Sequence, residues 1–373
     1  MTEKTRVYLI FGGRSGEHEV SLMSAKNVME ALDKNKYEVV PIGITKAGQW
    51  LLSGDPMKAL TDGVEQAGGF PVGLLGDPTH KELIALTKTG AVSPAPAPAV
   101  GGGAVFFPVL HGTYGEDGTI QGLLEMANVP YVGCGVLASS VGMDKGVAKM
   151  LFEQAGLTVA AYKMYLRKQW EAEPQSVLDD VETTFDRKYP LFVKPANLGS
   201  SVGISKARNR EELAAAMAEA ARFDRRILVE EGVNAREIEI SVLGNDEPVA
   251  SIPGEVIPGH EFYDYNDKYF DDKSSTRIPA DISPELIREF QRQAVMAFKA
   301  IDGAGMVRCD FFLERGTDRI LINEVNTIPG FTRISMYPKL WAASGISYSE
   351  LCDRLIQLAV ERHTDKNRNA TSV

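Results

Sequence analysis

The sequence predicts an α/β fold that opens with a parallel sheet and becomes α+β in its C-terminal part. A strand from Arg6 to Phe11 runs through a glycine turn into a helix, and a second strand follows from Tyr37 to Ile44. A helix between two such strands is typical of a parallel sheet with crossover connections. Further along, a strictly alternating strand from Arg236 to Leu243 and an apolar hairpin at 306–326 predict additional sheet structure.

Length, charge and cysteine content limit the class of protein. A chain of 373 residues is too long for one small core and predicts two or three domains. The net charge of −10 argues against a general binder of nucleic acid or of anionic membranes, but it allows a nucleotide held by a local basic cluster. Three widely spaced cysteines form no metal or disulfide pattern, and no apolar run suits a signal or membrane segment. We therefore expect a cytoplasmic protein with neither nucleic acid nor membrane as partner.

Two glycine-rich loops follow predicted strands in the N-terminal part. Gly12–Gly16 precedes a helix that begins at Glu17, and its spacing does not match a dinucleotide-binding loop. Glu17 either offsets the helix dipole or contacts a ligand. His111 follows the strand Ala104–Leu110 and opens the second loop, where it is either a structural histidine or a ligand contact. Ligands of open α/β sheets bind at the carboxyl ends of strands, so both loops are candidates.

Two central segments place lysines beside helix or loop patterns. A helix from Met143 to Gly156 carries Lys145 and Lys149 one turn apart, which on its own favours a solvated helix face. Lys194 ends a predicted strand and precedes the small-residue loop Pro195–Gly203. Backbone N–H groups and serine hydroxyls in this loop suit phosphate oxygens. The loop lacks the Walker A spacing, and an ordinary glycine hairpin is the alternative.

Two other stretches lack helix or strand periodicity. Ala91–Gly103 is rich in proline, alanine and glycine and predicts a connecting loop. Gly254–Pro279 is long, polar and aromatic, so it is either a lid over a binding site or a loop whose aromatic side chains pack on the core. The next helix is predicted from Pro284 to Ile301, with Ser283 as its N-cap.

The hairpin at 306–326 concentrates polar groups on one face of two apolar strands. We assume that its strands pair symmetrically about Thr317. That symmetry places Asp310 opposite Glu324. It also places Arg308 opposite Asn326 on the same face. Such groups are costly to bury unpaired, and oxygen-only ligands suit Mg²⁺, which bridges to phosphates. The alternative is a surface ion pair between Arg308 and Asp310.

The motifs are far more specific as an ordered set than singly. In chain order they are GGRSGEHEVS, HGTYGEDG, MDK, VKPANLGSSVG, VEEGVNAREIE, FYDYNDKY, VRCDF and NEVNTIPGFTRIS. This set covers nearly the whole chain and resembles the D-alanine–D-alanine ligases of the ATP-grasp superfamily. The Glu324–Gly330 motif and the Lys-Tyr pair in the long loop are markers of that family.

The resemblance implies a three-domain ATP-grasp fold. The implied domains are an N-terminal parallel α/β domain at 1–138, a central subdomain at 139–226 and a C-terminal subdomain at 227–373 with a closing loop at 254–279. ATP would lie between antiparallel sheets of the last two domains. The resemblance also implies a cytoplasmic homodimer that uses two D-alanine molecules, ATP and two Mg²⁺ ions, which Mn²⁺ can replace, in peptidoglycan precursor synthesis.

The resemblance further assigns roles to residues that match the family motifs. The implied nucleotide site comprises Lys145, Lys194 and Ser201 at the phosphates, Glu230, Glu231 and Val233 at the adenine, and Glu237 at the ribose. The implied metal ligands are Asp310, Glu324 and Asn326, of which Asn326 also borders the substrate. The implied catalytic and substrate groups are Glu17, Ser200 and Tyr269 beside the first D-alanine, Lys268 at the transferring phosphate, Arg308 and the Gly330 N–H at the oxyanion, His111 at the first amino-acid site and Ser335 at the second carboxylate. Some family members carry lysine at the position of Glu231, so charge there is not diagnostic.

The chemistry of peptide-bond formation agrees with these assignments. A carboxylate is a poor electrophile, so it must be activated, and an acyl phosphate offers a good leaving group. Lysines and Mg²⁺ neutralise a transferring phosphoryl group, and a closing loop keeps water away from the acyl phosphate. Three functions compete: a D-alanine–D-alanine ligase, another ATP-grasp ligase such as a D-alanine–D-lactate ligase, and a non-catalytic nucleotide-binding protein.

Overall fold

The computed structural model describes most of the chain, with several gaps. The described residues are 4–52, 58, 69–80, 83–86, 92–94, 103–199, 202–257 and 275–370. They form three β-sheets with helices packed against them. Within these ranges no helix is both long and apolar enough to cross a bilayer. All three cysteines are buried and free.

The first sheet contains the predicted parallel strands and an antiparallel extension. Its strands are β1 Thr5–Gly12, β2 Tyr37–Ile44, β3 Trp50–Leu52, β4 Phe70–Gly73, β5 Ile84–Leu86, β6 Val92–Pro94 and β7 Val105–Pro108. Their order is β6-β5-β4-β3-β2-β1-β7, and only β2, β1 and β7 pair in parallel. Helix α1, His18–Ala31, follows β1, and helix α2, Thr119–Met126, follows β7. Within the predicted connector at 91–103, residues Val92–Pro94 form β6, so the prediction of a loop is wrong there. A strand of three residues is too short to give a periodic pattern. Residues 91 and 95–102 lie outside the described residues.

Two helices rather than one connect the first sheet to the second. Helix α3, Val136–Met143, ends where helix α4, Lys145–Gln154, begins. The predicted helix at Met143–Gly156 is confirmed as α4, but it starts two residues later because Asp144 has an extended conformation and caps α4, accepting a hydrogen bond from the Val147 N–H at 3.0 Å. The other Asp144 oxygen forms an ion pair with Arg226, which fixes α4 against the second sheet.

The second sheet has four antiparallel strands with helices packed against it. Its strands and helices are β8 Tyr162–Leu166, α5 Arg167–Ala172, α6 Pro174–Thr184, β9 Leu191–Pro195, β10 Ser205–Ala207, α7 Arg210–Phe223 and β11 Arg226–Glu231. The strand order is β10-β9-β11-β8. The predicted domain boundary after residue 226 coincides with the start of β11, which still belongs to this sheet.

The third sheet is also antiparallel and carries the predicted hairpin. Its strands, with the helix that interrupts them, are β12 Ala235–Gly244, β13 Val249–Ala250, β14 Gly254–Ile257, β15 Ser275–Arg277, α8 Pro284–Ala300, β16 Gly305–Glu314 and β17 Ile320–Asn326. The main strand order is β15-β14-β12-β16-β17. Ser283 caps α8 as predicted, and its Oγ accepts from the Leu286 N–H at 3.3 Å. The two ends of the predicted closing loop form β14 and β15, whereas 258–274 lie outside the described residues.

The hairpin pairs as predicted, although its symmetry differs. The confirmed cross-strand pairs are Asp310–Glu324 and Arg308–Asn326. Nearer the turn, Phe311 lies opposite Ile322, so β17 contains one extra residue, Asn323, at a β-bulge. Symmetry about Thr317 is therefore wrong close to the turn, and the bulge is what brings the polar groups into the predicted pairs.

The C-terminal helices join the first and third sheets through one core. Helix α9, Met336–Ala343, precedes helix α10, Tyr348–Lys366, which extends beyond both ends of the predicted helix at 349–361. The shared core includes Phe107 of the first sheet, Met306 of the third sheet and Leu355 of α10. Phe331 packs among Phe107, Tyr337 and Tyr348 with ring centroids 5.6–6.2 Å apart. The segment after β17 is thereby buried against the N-terminal sheet.

We expect the cap of α4 to stabilise the fold more than the cap of α8. Ser283→Ala removes only a cap hydrogen bond, which is worth about 1 kcal/mol. Asp144→Ala removes a cap and also leaves Arg226 without its carboxylate, so a loss of about 2–3 kcal/mol is expected. Urea unfolding followed by fluorescence measures both changes. Asp144→Asn, which keeps a capping oxygen, should fall between the two, and equal losses for the two alanine variants would contradict this account.

Candidate active site

A cleft of about 500 Å³ lies between the second and third sheets. Both sheets contribute polar side chains to it, because alternate residues of their strands face the cleft. It brings together seven residues singled out from the sequence: Lys194, Glu230, Glu231, Val233, Glu237, Asp310 and Glu324. The cleft has the position that the resemblance implies for a nucleotide.

A buried cluster of two lysines and one glutamate lies at the second-sheet side of the cleft. Glu230 forms a hydrogen-bonded ion pair with Lys194, and its other oxygen is 3.1 Å from the Lys149 Nζ. Burial would raise the pKa of Glu230, but the two ammonium charges outweigh burial and lower the pKa to about 2. The cluster therefore holds one negative and two positive charges, a balance that suits an anionic ligand.

Lys149 is a site residue that sequence reasoning missed. Its side chain is only 2% exposed, and its Nζ lies 5.7 Å from the centre of the Tyr162 ring. The Lys145 side chain is also mostly buried, so the predicted solvated helix face is wrong. The helical spacing of the two lysines was visible in the sequence. Their burial was not, because it depends on the approach of α4 to the cleft.

Lys145 links the small-residue loop to the third sheet. Its Nζ donates to the Leu198 carbonyl at 2.8 Å and lies 3.8 Å from a Glu324 oxygen. Its backbone N–H donates to the Ala196 carbonyl. The loop that follows Lys194 is therefore tied to the start of α4. Ser200 and Ser201, which complete the predicted phosphate-binding loop, lie outside the described residues.

Three carboxylates lie side by side on the third sheet. In the antiparallel register Glu239 of β12 faces Asp310 of β16, and Asp310 faces Glu324 of β17. Arg308 donates two hydrogen bonds of 2.7 Å to the two Asp310 oxygens, and its Nε is 3.1 Å from Glu239. The Arg308 and Asp310 side chains are 15% and 14% exposed, so the alternative of a surface ion pair is wrong. Glu239 was missed because its alignment depends on strand pairing that the sequence does not specify.

The donors on this face fit a hard divalent cation. Asp310, Glu324 and Asn326 offer oxygen atoms only, which Mg²⁺ prefers over nitrogen or sulfur donors. The Asn326 Oδ1 atom is buried and accepts no hydrogen bond within the described part of the chain. Across the same ranges, no three His, Cys, Asp or Glu side chains are close enough to form a metal site by themselves. A metal held here would therefore need further ligands, such as water or phosphate oxygens.

The nucleotide-site candidates on β11 and β12 differ in how they are held. Glu231 accepts a hydrogen bond from the Ala161 N–H at 3.0 Å, and its own N–H donates to the Ala161 carbonyl. Val233 lies in the turn between β11 and β12, at the edge where the two sheets meet. Glu237 lies on β12, two residues before Glu239, and lines the cleft.

Glu17 lies at a junction of two loops. It is the N-cap residue of α1, and its side chain makes no capping hydrogen bond. The Glu17 carboxyl group is buried near Gly112 and Gly199: a side-chain carbon added at Gly199 would be 3.1 Å from Oε1. The loop that carries Ser200 therefore reaches Glu17. Ser200, Lys268 and Tyr269 themselves lie outside the described residues.

His111 is buried, and both of its ring nitrogens are used within the protein. Nδ1 is 3.0 Å from the Ile328 carbonyl, and Nε2 is 2.9 Å from the Ser24 hydroxyl. Burial and the charge of Arg308 lower the pKa of His111 to about 4, although the bond to Ile328 opposes this shift. The neutral ring therefore connects the loop after β7 to the loop after β17.

Gly330 and Ser335 lie in that second loop. Gly330 is buried, and a side-chain carbon at this position would lie 2.9 Å from the Ser335 Oγ, so any larger residue would displace that hydroxyl. Ser335 is the N-cap of α9, and its Oγ accepts a hydrogen bond from the Thr332 N–H at 3.0 Å. The same oxygen is 2.8 Å from the Thr332 hydroxyl. These contacts fold the loop into a compact turn.

A cleft between two antiparallel sheets, with lysines on one side and oxygen donors on the other, has the architecture of the ATP-grasp class. Comparison with known proteins defines the family. Residues 6–134 match the family model described as D-ala D-ala ligase N-terminus, and residues 151–357 match the one described as D-ala D-ala ligase C-terminus. The chain belongs to the D-Ala D-Ala ligase family.

Relatives and solved structures agree with this membership. The chain is 53% identical over 368 residues to the D-alanine–D-alanine ligase of Heliobacterium modesticaldum, covering 99% of this chain and 98% of the relative. The structure of the D-alanine-D-alanine ligase from Coxiella burnetii is 36% identical, with a TM-score of 0.84 over 98% of this chain and 97% of that one. The VanG D-Ala:D-Ser ligase from Enterococcus faecalis is also 36% identical, with a TM-score of 0.83 over 96% and 100%.

The low pKa of His111 predicts a specific acid sensitivity. In the unfolded chain a histidine binds a proton below pH 6.5, whereas folded His111 does so only near pH 4. Stability is therefore lost as pH falls from 6.5 towards 4. Between pH 7.5 and pH 5 the wild type should lose about 2 kcal/mol more than His111→Asn, which does not titrate. Urea unfolding at both pH values measures this difference, and parallel losses in the two proteins would contradict the buried neutral ring.

Proposed function

We propose that this chain joins two D-alanine molecules into D-alanyl-D-alanine at the expense of ATP. The observation behind the proposal is the placement of Lys194 and Glu230 on one sheet opposite Asp310 and Glu324 on the other, in one cleft. Phosphate-binding cations and metal-binding oxygens then meet where a nucleotide triphosphate fits. Membership of the D-Ala D-Ala ligase family supports the choice of amino acid.

The proposed reaction has two steps. A carboxylate oxygen of the first D-alanine attacks the γ-phosphorus of ATP and displaces ADP, which gives D-alanyl phosphate. The free amine of the second D-alanine then attacks the acyl carbon, loses a proton, and expels inorganic phosphate from a tetrahedral oxyanion. The order is required because a carboxylate accepts a nucleophile only after its oxygen has become part of a leaving group.

The lysines are proposed to hold the nucleotide phosphates. Lys145 and Lys194 already lie beside the cleft and are held by groups that a phosphate can replace, a carbonyl for one and Glu230 for the other. Lys149 remains beside Glu230 when Lys194 turns towards a phosphate, so the carboxylate is not left unpaired. Ser201 and Lys268 are proposed to add phosphate contacts, and the pocket around Glu231, Val233 and Glu237 to bind adenosine.

Two Mg²⁺ ions, or Mn²⁺ in their place, are proposed at Asp310, Glu324 and Asn326. When bound, they would neutralise the oxygens of the transferring phosphoryl group. Arg308 is held in one orientation by its two bonds to Asp310, so it presents the rest of its guanidinium group without reorganisation. Arg308 and the Gly330 N–H are proposed to stabilise the oxyanion, where one preorganised donor contributes roughly 3–4 kcal/mol.

The amino-acid subsites are proposed from the same geometry. Buried Glu17 offers a negative charge to the ammonium group of the first D-alanine, with Ser200 and Tyr269 as its partners. Ser335 is proposed to meet the carboxylate of the second. The segment between β14 and β15 is proposed to close over the cleft and exclude water from the acyl phosphate. We also propose a cytoplasmic homodimer and the domain boundaries given above.

We expect Glu324→Gln to remove most ligase turnover while the fold stays intact. The amide cannot supply the charge that the cation site needs, and Glu324 also lies 3.8 Å from Lys145. Turnover should fall by about a hundredfold. Phosphate release with ATP, Mg²⁺ and D-alanine measures it. Glu314→Gln on the same hairpin, which changes a carboxylate outside the cleft, should stay close to the wild type. Similar turnover for the wild type and Glu324→Gln at limiting Mg²⁺ would contradict the metal assignment.

The second substrate distinguishes this proposal from its alternatives. Tyr269 is neutral at physiological pH, so it does not repel the ammonium group of D-alanine as a protonated histidine would. Equal concentrations of D-alanine, D-lactate and D-serine at pH 6, 7.5 and 9 should therefore yield mainly D-alanyl-D-alanine. Separation of the products by mass spectrometry measures the ratio. Mainly D-alanyl-D-lactate at pH 6, or mainly D-alanyl-D-serine, would overturn the substrate assignment.

A further inference from the structure

The four residues after Thr327, Ile328–Phe331, form a buried segment held from the N-terminal sheet. The Phe331 N–H donates to the Ser24 Oγ at 3.2 Å, and the Ile328 carbonyl lies 3.0 Å from the His111 Nδ1. Pro329 has no N–H. Within the described residues the Gly330 N–H makes no hydrogen bond, although Gly330 is buried. The segment therefore presents one unused donor between two anchored residues.

The hydrogen bonds at this segment define one chain of donors and acceptors. Since a carbonyl only accepts, His111 must carry its proton on Nδ1 and donate it to Ile328. Nε2 is then an acceptor, so the Ser24 hydroxyl, 2.9 Å away, donates to it. The Ser24 oxygen keeps its lone pairs for the Phe331 N–H. Only this arrangement gives a hydrogen-bond partner to both His111 nitrogens, the Ser24 hydroxyl, the Ile328 carbonyl and the Phe331 N–H.

Glu116 is a further buried group in the loop that carries His111. Its Oε2 accepts a hydrogen bond from the Gly112 N–H at 2.6 Å, which fixes the carboxyl group in the loop after β7. Burial raises the pKa of Glu116, and the neighbouring charge of Glu17 raises it further, while the N–H groups of Gly112 and Ile328 oppose the shift.

We propose that Ser24 and His111 form an interdomain clamp that positions the Gly330 N–H for the oxyanion. The clamp rests on the proposed function, because the oxyanion arises only when the second amine attacks D-alanyl phosphate. Both are positioning residues: they hold residues on either side of Gly330 and leave its donor available. Both nitrogens of His111 are used in the clamp, so this ring acts through Ile328 rather than by contact with the first amino acid.

The structure offers a matched control for Ser24. Ser21 lies one turn earlier on α1, and both serine side chains are fully buried. The Ser21 Oγ accepts from the Gly12 N–H at 2.8 Å and donates to the Val109 carbonyl at 2.5 Å, so it also bridges two backbone groups. Gly12 ends β1 and Val109 follows β7, however, so neither partner belongs to the segment after β17. Loss of either hydroxyl costs similar stability, but only Ser24 touches the clamped segment.

Steady-state kinetics test the clamp. Ser24→Ala should lower kcat by about tenfold to a hundredfold, with KM for ATP and for both D-alanines within about twofold of the wild type. Ser21→Ala should keep kcat within about threefold. His111→Asn places an amide N–H near the position of Nδ1–H, so it should retain more of the wild-type kcat than His111→Leu. If His111→Leu instead raised KM for the first D-alanine and left kcat unchanged, the proposal would be overturned, since His111 would then contact the substrate. Equal losses of kcat in the two serine variants would overturn it as well.

Hydrogen exchange tests the clamp without any substrate. The Phe331 amide should exchange at least about tenfold faster in Ser24→Ala than in the wild type or in Ser21→Ala, because its acceptor is gone. Mass spectrometry of peptides spanning 326–335 measures the rate. Equal exchange in the two serine variants would overturn the clamp even if both are active. A wild type that forms no dipeptide would overturn the proposed function instead, and exchange would still decide whether the clamp holds the segment.

Discussion

The register of β16 between its two neighbours is the constraint on which the site depends. It aligns Glu239, Asp310 and Glu324 across three strands, and like charges in such a row repel one another. Arg308, two residues from Asp310 on the same face, offsets part of that repulsion with two short hydrogen bonds. A shift of one residue in β17 would turn Glu324 to the opposite face of the sheet. The bulge at Asn323 therefore has a structural role. It allows a tight turn between the two strands and still holds Glu324 opposite Asp310.

Charges in the cleft are buried in pairs that an anionic ligand can rearrange. Glu230 has two lysine partners, and its low pKa shows that their attraction exceeds the cost of burial. If Lys194 were its only partner, a phosphate that drew Lys194 away would leave a buried carboxylate uncompensated, at a cost of several kcal/mol. Lys149 would reduce that cost, because its Nζ is 3.1 Å from the other Glu230 oxygen. A second lysine would thus allow the first to exchange its partner for a phosphate.

Much of this organisation was predictable from the sequence, and the remainder has identifiable causes. Strong local signals located β1, β2, α8 and the hairpin, since apolar periodicity, glycine turns and the Ser283 cap act over a few residues. The antiparallel strands β3 to β6 escaped prediction because three or four residues carry no periodic signal. Lys149 and Glu239 were missed for another reason. Their roles depend on which helix or strand lies next to them, and strand register and helix docking are set by contacts far apart in the sequence.

The clamp shows how a fold of three sheets can act as one catalytic unit. An oxyanion donor is effective only if its direction is fixed before charge develops, because reorientation during the reaction would consume the energy that it contributes. The segment Ile328–Phe331 makes no internal hydrogen bond within the described residues, and Pro329 lacks an N–H. Its orientation must come from outside, and α1 and the loop after β7 supply it from a different sheet. The packing of the Phe331 ring on Phe107 adds an apolar contact between the two sheets, but such a contact does not orient an N–H group. The buried polar groups at this junction are hydrogen-bonded to one another, so their burial is compensated, and the same bonds impose an orientation on one N–H group.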